Sequence, residues 1–244
     1  DWSSDVCSSD LIADADEADE AASGAHAVPR GHLAVTAPVL FGQLYVMPGI
    51  VEYLQHFPEV SVSALFLDRV VNLIEEGMDV GVRIGELPDS GMHAVNVGQV
   101  RRMVCASPAY LKKHGVPHTP ADLAEHSIIA ASPVTPTLEW KFVRDKKSFG
   151  VKVKPRLTVT NNESAIVAAT RGFGVTRLLS YQIARQLAEG QLKAVLADYE
   201  PAQLPINILH REGRQASAKV RCFVDLLAET LRSDKALNSS RRLV

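Results

Sequence analysis

The stretch Gly31–Pro58 reads GHLAVTAPVLFGQLYVMPGIVEYLQHFP, and its pattern predicts a strand followed by a helix. The apolar, β-branched run His32–Ala37 has the length of a buried strand. After this run, apolar residues recur at the three- and four-residue spacing of one buried helix face. Pro48 lies inside the helical pattern and predicts a kink or a restart of the helix there.

A second apolar run, Val60–Phe66, predicts another strand, so that strand, helix and strand form one βαβ unit with a parallel pairing. In such sheets, ligands bind beside helix N-termini at the carboxyl ends of the strands. We therefore expect Thr36–Gly42 to lie at the mouth of a pocket. Thr36 and the amides of Val39–Gly42 could hold a carboxylate there, and an ordinary helix cap is the alternative for Thr36.

The rest of the chain continues the alternation of strands and helices. A helix is predicted over Arg69–Glu76, and one long extended run over Ala94–Ala106. The alternation then begins anew and ends in Ala218–Arg232, the clearest amphipathic helix of the chain. The sequence thus predicts an α/β fold of two modules joined near Ala106, with a frayed tail from Ser233 onward.

Further polar residues lie where a ligand could be recognised. Asn161 and Asn162 mark the strand-to-helix junction of the second module, and a helix cap is the alternative for Asn161. Arg83 ends a predicted strand and could supply a fixed cation for an anionic ligand. The alternative for Arg83 is a structural salt bridge with Asp79, Glu86 or Asp89.

Catalytic and metal-binding patterns do not occur in the sequence. The eight histidines show no H-x-H or HExxH spacing, and there is no CxxC, G-x-S-x-G, P-loop or dinucleotide fingerprint. Gly172-Phe173-Gly174 lies between a helix and a strand, where it predicts a tight turn. Cys105 lies within a strand and is best explained as a small buried hydrophobe. We therefore expect no enzyme, no metal and no cofactor.

Composition restricts the class of protein. Apolar residues make up 46% of the chain and charged residues 22%, which is ordinary for a globular protein. No apolar run is long enough to span a membrane, and the start lacks the pattern of a secretion signal. Cysteines are few and far apart, which favours a reducing, cytoplasmic location. A net charge near zero without a basic stripe argues against DNA binding by these residues themselves.

The first eleven residues, DWSSDVCSSDL, match the in-frame translation of a common sequencing adapter. We interpret Asp1–Leu11 as adapter-derived, and without its three aspartates the formal net charge changes from −2 to +1. Ile12–Gly24 is rich in Ala, Asp and Glu, which indicates either the end of an exposed helix or a disordered leader.

Several stretches resemble the effector-binding region of LysR-type transcriptional regulators. They occur in order between residues 30 and 232 and read GHLAVTAPVLFGQLYVMPGIVEYLQHFPEVSV, EEGMDVGVRIGELPDSG, RRMVCASPAYLKKHGVPHTPADLAEHSII, GFGVTRLLSYQIARQLAEGQLKAVL and KVRCFVDLLAETL. The resemblance implies two Rossmann-like subdomains of the type II periplasmic-binding-protein fold, with the effector in the cleft between them. Their expected bounds are 31–106 with 204–232 and 107–203, after the end of a linker helix and a linker (12–30) and before a flexible tail (233–244).

Carried over by position, the resemblance implies which residues line the effector site. They are Thr36, Ala37, Pro38, Val39, Leu67, Arg83, Gly85, Ser107, Asn161, Asn162 and Thr176. The resemblance also implies a homodimer or homotetramer, in which the first helix and second strand of one subunit pack against subdomain II of another.

The family's N-terminal helix-turn-helix would lie upstream, where this chain has the adapter-like residues. DNA would then be bound only through that missing domain. A solute-binding protein of a transporter shares the fold and is the alternative to a regulator.

Overall fold

The computed structural model describes residues 28–69, 72–87, 91–131, 138–211 and 216–238. These residues divide into two compact units. The first unit ends at Val97 and takes up the chain again over Ile206–Ser233, and the second comprises Gly98–Pro205 and begins again at Asp234. Each unit carries its own sheet with helices, so the predicted α/β fold with two subdomains is confirmed.

The elements follow one another in the order that the sequence predicts, with a few differences. The strands are β1 (Gly31–Ala37), β2 (Val60–Phe66), β3 (Val80–Ile84), β4 (His93–Val100), β5 (Arg102–Ala106), β6 (Ile128–Ala131), β7 (Leu138–Arg144), β8 (Lys147–Val153), β9 (Pro155–Val159), β10 (Val175–Leu179), β11 (Lys193–Val195) and β12 (Leu204–His210). The α-helices are α1 (Val39–Phe41), α2 (Met47–His56), α3 (Pro108–His114), α4 (Asn162–Thr170), α5 (Ala184–Ala188), α6 (Ala218–Ser233) and α7 (Lys235–Asn238).

The sheet of the first unit has the strand order β2-β1-β3-β12-β4. Strand β1 lies between β2 and β3 and is parallel to both, whereas β12 runs antiparallel to β3. The carboxyl ends of β1, β2 and β3 therefore lie at one edge of this sheet. The βαβ unit predicted from Gly31–Phe66 is confirmed.

The helical segment after β1 changes its winding before Pro48. Between α1 and α2 the chain forms a π-helical segment, Gly42–Val46. Proline has no N–H to donate to the carbonyl four residues earlier, so a regular α-helix cannot continue through it. The predicted restart at Pro48 is confirmed, since α2 begins at Met47.

Helices α2 and α6 pack together in the first unit. Tyr53 is fully buried, and its hydroxyl donates to the carbonyl of Lys219 at 2.8 Å. Its ring meets Phe223 edge-on at 5.3 Å between the centroids. The apolar face predicted for α6 is buried as expected, and it comprises Val220, Phe223, Val224, Leu227 and Leu231.

Two predicted elements differ from the structure. The helix predicted over Arg69–Glu76 is wrong, because the described residues 73–77 form a turn. The side chain of Asn72 accepts the N–H of Ile74 at 3.1 Å, a local hydrogen bond that competes with helix formation. The single extended run predicted over Ala94–Ala106 is interrupted at Arg101, because β4 and β5 belong to different sheets.

The sheet of the second unit has the order β11-β5-β10-β6-β9. β10 is parallel to β6, which is parallel to β9, whereas β5 runs antiparallel to β10. The carboxyl ends of β6, β9 and β10 therefore lie at one edge, and that of β5 lies at the opposite edge. The hairpin of β7 and β8 contributes Trp140 and Phe142 to a core cluster with Val104 and Val175.

The ends of the chain were expected to lack structure. Residues 235–238 instead form α7, in which Leu237 is fully buried. The interpretations of Asp1–Leu11 and Ile12–Gly24, and the tail after residue 238, lie outside the described residues.

A buried ion pair of the second unit offers a test of this fold. Arg101 Nη1 lies 3.3 Å from Glu200 Oε2, and the two side chains are only 11% and 12% exposed. Glu200→Gln should lower the free energy of unfolding by about 3 kcal/mol, because Arg101 loses its counterion inside the protein. Urea denaturation measures this change.

The control is Glu189→Gln, which breaks the exposed pair Arg185–Glu189, whose side chains are 78% and 48% exposed. This change should cost less than about 0.5 kcal/mol. Equal effects of the two substitutions would contradict the structural role assigned to Glu200.

Candidate functional site

Three parallel strands of the first unit end beside one another. Thr36 and Ala37 close β1, Leu67 follows β2, and Gly85 follows β3. The N–H of Leu67 donates to the carbonyl of Ala37 at 2.9 Å, which ties the ends of β1 and β2 together. Arg83 is the penultimate residue of β3 and shares this edge. The sheet thus brings five of the predicted site residues to one place.

The helix N-terminus at this edge already has an anionic partner. Pro38 lies at the N-cap and has no N–H, and the N–H of Val39 donates to Asp68 Oδ1 at 3.1 Å. Asp68 therefore occupies the position expected for a ligand carboxylate at the N-terminus. Sequence analysis missed Asp68. Its position could have indicated this role, because it is an acidic residue one position after Leu67, which follows the end of β2.

Thr36 is fully buried, and its hydroxyl has no hydrogen-bond partner among the described residues. The alternative of an ordinary cap does not hold, because Pro38 is the N-cap of α1 and the Thr36 hydroxyl accepts no described amide N–H. Thr176 of the second unit is likewise fully buried without a described partner for its hydroxyl. A buried hydroxyl without a hydrogen-bond partner is unfavourable. Thr36 and Thr176 therefore each leave one buried polar group unsatisfied.

Arg83 is half-buried, and its Nη1 donates to the carbonyl of Val82 at 3.0 Å. Burial lowers the pKa of the Arg83 guanidinium, and the negative charge of Glu76 partly offsets this. Asp79, one of the carboxylates considered as its partner, accepts the N–H of Ala34 at 2.7 Å. Arg83 is thus a partly desolvated cation at the strand-end edge.

The predicted residues of the second unit are not brought together. Ser107 follows β5 and caps α3 by accepting the N–H of Tyr110 at 3.2 Å. Asn161 follows β9 and caps α4 by accepting the N–H of Ser164 at 2.8 Å, so the cap considered for it is present. Because β5 and β9 end at opposite edges of the sheet, Ser107 lies at one edge and Asn161 at the other.

Thr176 and Asn162 also lie at opposite edges of this sheet. Thr176 pairs with Cys105 near the end of β5, on the side of Ser107. Asn162 follows Asn161 as the first residue of α4. Sequence analysis missed two arginines of this sheet: Arg102, which begins β5 at the Asn161 edge, and Arg177, the middle residue of β10. The sequence pattern that could have identified them is a basic residue within an otherwise largely apolar strand.

A groove of about 640 Å³ lies between α2 and α6 of the first unit. Three carboxylates line it, from Glu52, Asp225 and Glu229. None of the predicted site residues contributes to this groove. Its acidic lining makes it unsuitable for an anionic ligand.

The described residues offer neither an activated thiol at Cys105 nor a cluster of metal ligands. Cys105 is fully buried, and burial raises the pKa of its thiol to about 12, in agreement with its interpretation as a small hydrophobe. Across the ranges that the structure describes, no three His, Cys, Asp or Glu side chains are arranged to hold a metal ion. None of the described helices combines the length and apolar character needed to cross a membrane.

The tight turn predicted at Gly172-Phe173-Gly174 is confirmed. Gly172 has a positive φ of 78°, and a Cβ at Gly174 would overlap the carbonyl oxygen of Ser127. The turn thus joins α4 to β10 without forming a nucleotide site.

The sequence is similar to one family of known proteins. Residues 26–232 match the model of the LysR substrate binding domain. The chain is 27% identical over 224 residues to the probable HTH-type transcriptional regulator LtrA of Klebsiella pneumoniae, covering 91% of this chain and 72% of LtrA. It is 28% identical over 207 residues to the HTH-type transcriptional regulator CrgA of Neisseria meningitidis serogroup B, covering 84% of this chain and 69% of CrgA.

The structural comparison agrees with the sequence comparison. The regulatory domain of CrgA, a LysR-type transcriptional regulator from Neisseria meningitidis, is similar with a TM-score of 0.70 and 28% identity. The similarity covers 83% of this chain and 100% of that domain. These relatives are regulators, so the comparisons favour a regulator over the transporter solute-binding protein considered as the alternative.

The unpartnered hydroxyl of Thr36 predicts an unusual mutational effect. Thr36→Val replaces a buried hydroxyl without a partner by a methyl group of similar size. The variant should be as stable as the wild type or more stable by about 1 kcal/mol in chemical denaturation.

The control is Thr119→Val, because Thr119 Oγ1 donates to Asp122 Oδ1 at 2.9 Å in a helix cap. This substitution should lower the free energy of unfolding by about 1 kcal/mol. A larger loss in Thr36→Val than in Thr119→Val would show that the Thr36 hydroxyl has a stabilising partner.

Proposed function

Because the chain belongs to the LysR substrate-binding domain family and is the effector-binding domain of a transcriptional regulator, we propose that it binds a small-molecule effector. The observation that carries this proposal is the convergence of Thr36, Ala37, Leu67, Arg83 and Gly85 at the carboxyl ends of three parallel strands. Strand ends of this kind are where open α/β sheets bind ligands.

Five of the predicted residues of the first unit have distinct roles in this proposal. Arg83 supplies a cation, and Gly85, with a positive φ of 120°, leaves open space where a side chain would begin. Thr36 supplies a hydroxyl that has no other described partner. Pro38 and Val39 shape the edge, while Asp68 keeps the Val39 amide from binding a ligand anion.

In the second unit, the predicted residues best placed to contact a ligand are Asn161 and Asn162. They follow β9 at the edge where the carboxyl ends of β6, β9 and β10 meet, which is where open α/β sheets bind ligands. Ser107 and Thr176 lie at the opposite edge and are less suited to share a ligand with Asn161. Effector binding would then act by favouring the subdomain arrangement for which the effector has the higher affinity.

The protein acts by binding rather than catalysis in this proposal. The predicted site residues include no nucleophile beside a base, and the buried thiol of Cys105 is protonated at neutral pH because burial raises its pKa to about 12. As a regulator works where the chromosome is, we place the protein in the cytoplasm. Chemical turnover of a bound effector would contradict the proposal.

We also propose that the protein forms a homodimer through the first helix and second strand. Leu44, Met47 and Val51 are exposed apolar residues at helical spacing, and Leu65 is exposed on the edge strand β2. Such a contiguous apolar surface favours association with another subunit. A homotetramer would use this surface together with a second one.

Effector binding is tested by a thermal-shift screen of small molecules, followed by calorimetric titration of those that raise the Tm. For an acidic effector, Arg83→Gln should weaken binding by about tenfold or more with little change in Tm, because it removes a charge-assisted contact. Arg69→Gln is the matched control, since Arg69 pairs with Glu76 at 2.6 Å on the surface. Failure of every compound to bind would count against effector sensing.

The dimer surface is tested by Val51→Glu, which places a charge in the proposed interface. Sedimentation velocity should show a shift from dimer toward monomer at micromolar concentration, because burying an unpaired carboxylate is unfavourable. Ile74→Glu changes another exposed apolar residue of the same unit and should leave the dimer intact. Dissociation by both variants would indicate a general effect of added charge.

A further inference from the structure

Arg102 and Arg177 are neighbours on one face of the second sheet. The antiparallel register pairs Arg102 with Leu179, and Arg177 with Val104. Directly opposed residues lie on the same face, and so do residues two apart along a strand. The two arginines are therefore diagonal neighbours across β5 and β10, on the face where Val104 packs in the core cluster with Trp140.

The contacts of Arg177 are with neutral groups. Its guanidinium lies 5.0 Å from the centre of the Trp140 ring, and its Nη1 donates to the carbonyl of Lys141 at 3.3 Å. These contacts fix the plane of the guanidinium without neutralising its charge. Arg177 is thus held in position by β7, the strand that carries Trp140 and Lys141.

Neither arginine has a carboxylate partner among the described residues. Other arginines do, and their nearest N–O distances are 2.6 Å for Arg69 with Glu76, 3.3 Å for Arg101 with Glu200 and 4.0 Å for Arg185 with Glu189. Both Arg102 and Arg177 are half-buried, so solvent screens their mutual repulsion only in part.

The two cations influence each other electrostatically. Burial and the neighbouring charge of Arg102 lower the pKa of Arg177 to about 9, and burial lowers the pKa of Arg102. Both side chains remain charged at neutral pH. Partly buried charges in proteins are normally paired, and two adjacent guanidinium groups offer several donors to the oxygens of one anion.

We propose that Arg102 and Arg177 form a binding site for a small oxyanion, either a carboxylate or a phosphate. The site consists of Arg102 and Arg177, with Trp140 beside them, and none of these residues belongs to the proposed effector site, so the proposal goes beyond that site and does not depend on it. Trp140 holds Arg177 in place from the core side, so the guanidinium keeps a fixed orientation for an anion.

The experiment titrates the full chain with sodium phosphate, sodium benzoate and neutral benzamide at constant ionic strength, using calorimetry and the arginine Nε–H signals in NMR. We expect benzoate or phosphate to bind and to shift the signals of both arginines, and benzamide not to bind. Stronger binding of benzoate would identify an organic acid, and stronger binding of phosphate a phosphorylated ligand. Arg102→Gln and Arg177→Gln should each weaken binding by about tenfold or more.

Arg156→Gln is the matched control, because Arg156 also stacks on an aromatic ring, Phe173 at 5.6 Å, and donates to a neutral group, Ser127 Oγ at 3.0 Å. It should bind both anions like the wild type. Arg102→Lys and Arg177→Lys keep the charge, so they test the site if a glutamine variant does not fold, and they should weaken binding less.

Wild-type affinity in the Arg102 and Arg177 variants would overturn the proposal, and so would equal weakening in Arg156→Gln. Binding of benzamide as tight as that of benzoate, or no binding of either anion at millimolar concentration, would also overturn it. None of these results would affect a separate effector that binds at the strand ends of the first unit.

Discussion

The parallel pairing of β1 with both β2 and β3 is the constraint on which the first unit depends. Two strands can be parallel only if the chain returns between them, and the segment Val39–His56 makes the first return. The return brings the ends of β1 and β2 to the same edge, where the Leu67 amide bonds to Ala37. Residues distant in sequence thereby share one location, and this is why a single fragment of sequence, Gly31–Phe66, predicts where a ligand can bind.

The second unit shows how one antiparallel strand changes that outcome. Because β5 runs against β10, a residue that follows β5 lies at the opposite edge from one that follows β9. Ser107 and Asn161 therefore have equivalent local roles as helix caps and different positions in the sheet. Both are polar residues at a strand-to-helix junction because both cap a helix. This shared position does not indicate whether they contact the same ligand.

Local patterns of sequence predict much of this fold. The bounds of β2 agree with the apolar run Val60–Phe66, and the apolar face of α6 is buried as its spacing predicts. The missed turn at residues 73–77 includes a hydrogen bond in which the Asn72 side chain accepts the N–H of Ile74, and hydrophobic periodicity does not include such a bond. The break at Arg101 depends on which sheet each strand joins, and that choice is made by partners far away in the sequence.

Charge partners are the part of the site that sequence reasoning could not reach. Arg101 and Arg102 are adjacent, yet Arg101 donates to Met103 and pairs with Glu200, whereas Arg102 lies on the opposite face with Val104. Strand alternation sends the two side chains to different surroundings, and only one of these surroundings contains a described carboxylate. Asp68 illustrates the same principle at the helix N-terminus, where the carboxylate that meets Val39 comes from 29 residues further along the chain. The electrostatic character of each edge is thus decided by tertiary pairing, so the charge that a ligand must carry is determined by the fold and not by the local motif.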